Sequence, residues 1–418
     1  MNEMKIDETF ERVSELMCDQ FSKYGYRRMK TAAFQPYELY EDKDSFVNRK
    51  DMVKVIDSDG EVLVLRPDVT IPITKELSHG NDRLTSEHRF YYLQEVFRKP
   101  FNKDEKIEKT QAGVEYFCES SPEADAETIA LALHTLKELS FTEMKIEIGH
   151  TVFFNELLSG LRLTDLENRQ IKEFIQAKNI TEISLLLDKL GLVEEKKIAI
   201  EQIPFLYGKP KDVLKKAWNL PLTEEMAKTL SYLEEVYRLL SLYGWKDDLT
   251  IDFGLINYMH YYSGILFQGF VEQYGKPVLM GGRYDFLGNR FGADLPAIGF
   301  ACEVESIVEA LGGKESSNSH NVDLFLVYDS VKLEDAIHIA DTLRKLGYRV
   351  LSVSVEKERF INCQSSNYVR LTSGGNFIKH RETEIMFYKL DDLLALLKVE
   401  GDVLYETVDD RNGKGESR

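Results

Sequence analysis

Phe90-Tyr-Tyr-Leu-Gln-Glu-Val-Phe-Arg-Lys-Pro100 and, after a charged stretch, Thr110-Gln-Ala-Gly-Val-Glu115 are the segments whose reading decides the fold. Both are short and rich in aromatic and β-branched residues, so each predicts a strand, and the polar residues between them predict an antiparallel pair. Arg98, Gln111 and Glu115 interrupt this apolar pattern. A buried charge there is costly unless it is paired or meets a ligand. Gln111 and Glu115 are four residues apart and so share one side of a strand, facing a common pocket or facing solvent; spacing does not choose between them.

Upstream, MVKVID (52–57) and EVLVLR (61–66) flank the turn Ser58-Asp59-Gly60 and read as further strands. Phe10, Val13, Leu16, Met17 and Phe21 recur at helical spacing, predicting a helix over 7–24 with Asp7 as its cap and Gly25 as its stop. Downstream, the pattern turns helical from Pro122, passes through the strand MKIEIGH (144–150), and stays helical to about 244. In that stretch Met226, Leu230, Leu233, Val236 and Leu240 share a face between a Thr223 cap and a Gly244 stop. LTIDFG, YYSGILFQGFV and KPVLMGG then predict strands between 249 and 282, and GFACEVESIVEAL (299–311) reads as an apolar helix.

The expected fold class is therefore α+β, an antiparallel sheet flanked by helices. Domain 1–311 carries a helical insertion at about 155–248, and the small and polar residues of 312–320 mark a linker. VDLFLVY, LEDAIHIADTLRKLG and YRVLSVSV then give the strand, helix, strand order of a small α/β domain over 321–408, followed by a tail at 409–418.

Bulk properties narrow the function. The net charge of −18 over 418 residues disfavours a polyanionic partner such as tRNA, and no stripe of clustered Lys and Arg offsets it. Cys18, Cys118, Cys302 and Cys363 have no metal-ligand or disulfide spacing and read as reduced, buried thiols. With neither a bilayer-length apolar run nor a signal-like start, the expectation is a cytoplasmic protein without a membrane span.

Besides Arg98, Gln111 and Glu115, the polar groups set among apolar residues fall in Leu65-Arg66-Pro67-Asp68-Val69-Thr70, in Tyr261-Tyr262 and in Gly281-Gly-Arg-Tyr-Asp285. Each has a bland reading. Arg66 and Asp68 could form an ion pair at a strand end, and GGRYD could be a glycine-permitted turn.

In this order the segments resemble the core of histidyl-tRNA synthetase, a class II aminoacyl-tRNA synthetase, over residues 8–311. FYYLQEVFRKP with TQAGVE resembles motif 2, NYMHYYSGILF the histidine-specific strand, and GGRYDFLGNRFG with AIGFACEVESIVEAL the approach to motif 3 and motif 3 itself. The resemblance implies a class II synthetase-like sheet, an anticodon-domain-like C-terminal unit, and a histidine pocket formed by Asp68, Thr70, Arg98, Gln111, Glu115, Tyr261, Tyr262 and Tyr284. Asp68, Glu115 and the Gln111 carbonyl suit an ammonium group, the tyrosines an imidazole, and Arg98 a carboxylate.

Three cationic features of the synthetase are missing. Asn257 stands where its histidine-specific arginine falls, Ser306 where the motif 3 arginine falls, and the motif 2 loop reads Asp104-Glu-Lys-Ile-Glu-Lys-Thr110. Adenylation needs positive groups aimed at ATP. Together with Asp68-Val69 in the LRPDVT segment, these departures resemble the ATP phosphoribosyltransferase regulatory subunit family. That resemblance implies a non-catalytic, cofactor-free protein that partners the short catalytic subunit, responds to L-histidine, binds no tRNA, and forms a homodimer within a hetero-oligomer. The alternatives are a divergent histidyl-tRNA synthetase and a free-standing histidine sensor.

Overall fold

The computed structural model describes residues 3–40, 49–79, 86–99, 106–161, 163–256, 262–272, 274–312, 320–360, 363–380 and 383–402. The chain divides into two compact units, Met1–Lys314 and Glu315–Arg418. Among the described residues no helix is long and apolar enough to cross a membrane.

Alternation of aromatic and β-branched residues yields the ten-residue strands His88–Phe97 and Glu108–Phe117, which pair antiparallel with Phe90 opposite Glu115 and Gln94 opposite Gln111. They belong to a nine-stranded sheet in the spatial order Arg27–Arg28, His88–Phe97, Glu108–Phe117, Ala297–Glu303, Leu279–Arg283, Ile265–Val271, Met144–His150, Leu249–Asp252, Tyr207–Gly208. Pairing is antiparallel except between Arg27–Arg28 and His88–Phe97, and between Met144–His150 and Leu249–Asp252.

One face of the sheet is covered by helices Glu3–Lys23 and Pro122–Glu138. The first inserts Val13, Met17 and Phe21 into the main core, with Phe21 packing against Tyr91 and Phe300, both at 5.9 Å. This helix begins at Glu3, so Asp7 lies within it and is not its cap; Gly25 does end the chain reversal, at φ 80°. The second is capped by Ser121, with Pro122 at its first position. It is buried on most sides because helix Glu224–Leu242 packs over its outer face.

GFACEVESIVEAL is a strand through Glu303 and a helix only over Val304–Ala310, since Ala297–Glu303 is paired along both edges and its backbone is committed to the sheet. The helical stretch at about 155–248 packs into the main core, and it is interrupted by a strand, Tyr207–Gly208, that extends the sheet. Its last helix runs Glu224–Leu242, with Thr223 accepting the Met226 N–H at 3.2 Å and Gly244 at φ 91°.

The opposite sheet face carries a second core that includes Tyr40, Val64, Ile71, Tyr92, Phe117 and Tyr284. A three-stranded sheet, Phe34–Pro36, Val62–Leu65 and Lys54–Ile56, leads into it, its central strand ending at Leu65. Asp68 and Thr70 are thus not within a strand: Thr70 opens helix Thr70–His79.

The thiol of Cys302 is buried, whereas Cys18 and Cys118 are partly exposed because both lie at the margins of the packed layers. All three are free.

The second unit has a five-stranded sheet in the order Val350–Ser354, His320–Tyr328, Cys363–Thr372, Gly375–His380, Thr383–Phe387. The first three strands are parallel, with helix Leu333–Lys345 as the crossover between His320–Tyr328 and Val350–Ser354. His320, assigned to the linker by sequence, opens a strand. The tail 409–418 lies outside the described residues.

Candidate functional site

Residues directly opposite one another in a sheet share a face, so the register assembles the site in rows. Phe90, Glu115, Gly299, Gly282 and Leu266 form one row across five strands. Tyr92, Gly113, Ala301, Met280 and Gln268 form the next. Gln94, Gln111 and Glu303 form a third. The small residues leave a hollow bounded by the large ones.

That hollow is a cavity of about 150 Å³ lined by Asp68, Thr70, Tyr92, Arg98, Gln111, Glu115, Tyr262, Tyr284, Glu303, Gly299, Phe300, Ala301 and the stretch Pro277–Met280. Seven of the eight pocket residues expected from the sequence therefore meet in one place. The eighth, Tyr261, lies outside the described residues, as does Asn257.

Glycine is required in the strands beneath the site, where Tyr92, Tyr262 and Glu115 pack directly on the backbone. A Cβ on Gly282 would come within 2.8 Å of the Tyr262 ring and of the Ile265 carbonyl oxygen. One on Gly113 would come within 2.5 Å of the Tyr92 hydroxyl and the Phe300 carbonyl oxygen, and one on Gly299 would collide with the Glu115 carboxylate.

Glu115, at 2% exposure, accepts hydrogen bonds from the Thr70 hydroxyl at 2.6 Å and from the Tyr284 hydroxyl. Burial, aided by the nearby Asp68, raises its pKa to about 7 against the effect of these two hydrogen bonds. Asp68, at 4% exposure, uses Oδ1 to accept the Ile71 N–H at 2.9 Å and so caps helix Thr70–His79. Its Oδ2 is buried without a hydrogen-bond partner. Burial dominates here too, raising its pKa to about 6, while the Ile71 N–H, Arg98 and Arg290 oppose the shift.

Arg98 sits just past the end of strand His88–Phe97, where its Nε donates to the Pro67 carbonyl at 2.5 Å. An Arg66–Asp68 ion pair is not formed. Arg66 turns to Glu95, donating to its carbonyl at 2.6 Å and its carboxylate at 3.2 Å, and to the Thr31 carbonyl at 2.8 Å.

Tyr284 is held from behind by its neighbour. Arg283, 4% exposed, ion-pairs with the fully buried Asp125 and donates to the Glu119 carbonyl at 2.8 Å and to Asp285 at 3.1 Å. Asp125 also accepts from Tyr232 of helix Glu224–Leu242 at 2.6 Å, which ties the helical stretch to the GGRYD segment. Sequence reasoning missed this network, and it missed Tyr92, Met280 and Glu303 on the cavity wall. Tyr92 was accessible from its even spacing with Phe90 and Gln94; Glu303 needed the cross-strand register.

Ser306 does not line the cavity; its side chain hydrogen-bonds Tyr274. Among the described residues that do line it, Arg98 is the single cation against three carboxylates, Asp68, Glu115 and Glu303. Such a site can hold a small zwitterion, with an ammonium group at the buried carboxylates and a carboxylate at the guanidinium.

A family model for histidyl-tRNA synthetase matches residues 5–307. Over 376 residues the chain is 40% identical to an ATP phosphoribosyltransferase regulatory subunit of Oceanobacillus iheyensis, covering 90% of this chain and 92% of the relative. It is 31% identical over 345 residues to the protein of the same name from Alkaliphilus metalliredigens, covering 82% and 87%. A solved structure described as an ATP phosphoribosyltransferase regulatory subunit/histidyl-tRNA synthetase from Bacillus halodurans superposes with a TM-score of 0.73 at 26% identity, covering 89% of this chain and 95% of the other. Histidyl-tRNA synthetase from Nostoc sp. PCC 7120 gives a TM-score of 0.75 at 17% identity over 94% and 96%, a likeness of fold alone. The fold is class II aminoacyl-tRNA synthetase-like.

Proposed function

Because this chain belongs to the family of ATP phosphoribosyltransferase regulatory subunits, we propose that it carries out no chemistry itself, binds L-histidine in the cavity, and controls a separate short catalytic subunit at the first step of histidine biosynthesis in the cytoplasm. The reading is carried by one observation: the cavity gathers Asp68, Thr70, Arg98, Gln111, Glu115, Tyr262 and Tyr284, while Ser306 brings no positive charge to it.

The size and charge of the cavity support an amino acid as its ligand. Its volume of about 150 Å³ is below the ~300–1,000 Å³ usual for drug-sized ligands. In this proposal the Asp68 Oδ2, buried and without a partner, accepts from the histidine ammonium group, Glu115 and Gln111 complete that end, Arg98 takes the carboxylate, and Tyr261, Tyr262 and Tyr284 bound the imidazole. Feedback then requires histidine to favour a low-activity arrangement of the complex through unequal affinity for its states. The working assembly is a homodimer of this chain within a hetero-oligomer, and tRNA is not a partner, in keeping with the net charge of −18.

The test is to mix the purified chain with a short ATP phosphoribosyltransferase catalytic chain and measure phosphoribosyl transfer with and without L-histidine, alongside exchange of pyrophosphate into ATP by this chain alone. The expected result is stimulated transfer that histidine suppresses, with no exchange. Histidine-dependent pyrophosphate exchange would overturn the proposal in favour of a divergent synthetase.

A further inference from the structure

We propose that Glu303 is a specificity-determining residue that turns phosphate-bearing ligands away from the cavity, so that a free amino acid enters and a nucleotide does not. This rests on the cavity being an amino-acid site and adds an active means of rejection to the missing arginines.

The placement of Glu303 follows from the register. It is the last residue of strand Ala297–Glu303, lies directly opposite Gln111, and lines the cavity. Its carboxylate binds Lys109 Nζ at 2.5 Å, with the two side chains 31% and 34% exposed, so the pair is within reach of solvent. Lys109 belongs to the same strand as Gln111 and Glu115, two residues before the first of them. Its ammonium group meets the cavity through Glu303, which lines it, and Glu303 neutralises that charge.

The next acid fixes this arrangement. Glu305 accepts the Thr110 N–H with both carboxylate oxygens, each at 3.0 Å, and so holds the backbone beside Lys109. Lys109 thus stays in place with its charge matched. Arg98 remains as a cationic wall residue, with Asp68 and Glu115 on the same wall. A zwitterion brings no net charge to this balance, whereas a triphosphate brings several negative charges toward Glu303. At partly exposed positions such repulsion is moderated by solvent but still counts for about a factor of ten in affinity per neutralised charge.

The experiment is calorimetric titration of the full chain with L-histidine and, separately, with magnesium-free ATP, for the wild type, Glu303→Gln and Glu303→Ala. ATP should bind Glu303→Gln about tenfold more tightly than the wild type, while histidine still binds. Adding Lys109→Met to Glu303→Gln should abolish the gain. Glu303→Ala reports the same effect should the glutamine variant fail to fold. ATP affinity unchanged in both variants, with histidine still bound, would overturn the gate and leave the amino-acid reading intact. A gain in ATP binding accompanied by loss of histidine binding would also overturn it, since Glu303 would then belong to the amino-acid contacts. A wild type that ignores histidine, with ATP still tightened by Glu303→Gln, would remove the amino-acid reading while the gate survived.

Discussion

Replacing Glu115 by glutamine tests the electrostatics of the cavity through the stability of the fold. In the folded chain the Glu115 carboxyl has a pKa of about 7 against an ordinary 4.5, chiefly because it is buried. That difference of about two and a half units, at about 1.36 kcal/mol each, is about 3 kcal/mol. A carboxyl raised in this way holds its proton more tightly when folded. Its contribution is fully present below pH 4.5 and is lost as pH rises through about 7. The amide of the variant has no proton to lose. It accepts from only one of Thr70 and Tyr284, but that deficit is the same at every pH. The stability of Glu115→Gln minus that of the wild type should therefore climb by about 3 kcal/mol between pH 4.5 and 8. Urea unfolding followed by tryptophan fluorescence measures this in the right place, because Trp218 and Trp245 both belong to the unit Met1–Lys314. A difference that stays level across the range, or falls, would refute the claim that Glu115 is held in an environment hostile to its charge.

The same two carboxyls link histidine binding to protons. With Asp68 at about 6 and Glu115 at about 7, ammonium binding should strengthen as pH rises from 5.5 to 7.5 and should release protons, as read by calorimetry in buffers of different ionisation enthalpy; proton uptake would contradict it. Arg283→Met leaves Asp125 buried without its ion-pair partner and should cost about 3–5 kcal/mol in urea unfolding, and Asp125→Ala in the same chain should recover part of that loss. Gly282→Ala forces the Tyr262 ring and the Ile265 carbonyl from their places and should weaken histidine binding more than it lowers the melting temperature; unchanged affinity would exclude Tyr262 from the ligand contacts.

Legibility from sequence followed the range of the forces involved. Helix Glu224–Leu242 and strand Met144–His150 emerge at the expected places because periodicity, the Thr223 cap and the Gly244 stop are all local signals. The Asp68 cap was missed although its cues are present, an aspartate before Thr70 and a proline, Pro72, in the first helical turn; the LRPDVT segment instead read as a continuation of the preceding strand. The helical reading of Gly299–Glu303 failed because apolar composition does not distinguish a doubly paired strand from a buried helix.

The candidate site shows the same division. That Gln111 and Glu115 share a side follows from their spacing, but that this side is a cavity depends on Gly299, which lies more than 180 residues away and was placed by strand pairing. Arg66 finds Glu95 across 29 residues of sequence, and Arg283 finds Asp125 across 158. No local pattern names such partners.

The glycines in the strands beneath the cavity have an evolutionary consequence. At Gly113, Gly282 and Gly299 every single substitution adds atoms, and each would push against backbone oxygen as well as side chains. Tyr92 and Tyr262 already occupy the space over Gly113 and Gly282, and the Glu115 carboxylate that over Gly299, so change there runs one way, toward displacing these side chains. A lineage that altered what the recess holds would have to do so from its rim, at residues such as Met280 and Glu303, while the base stayed as it is.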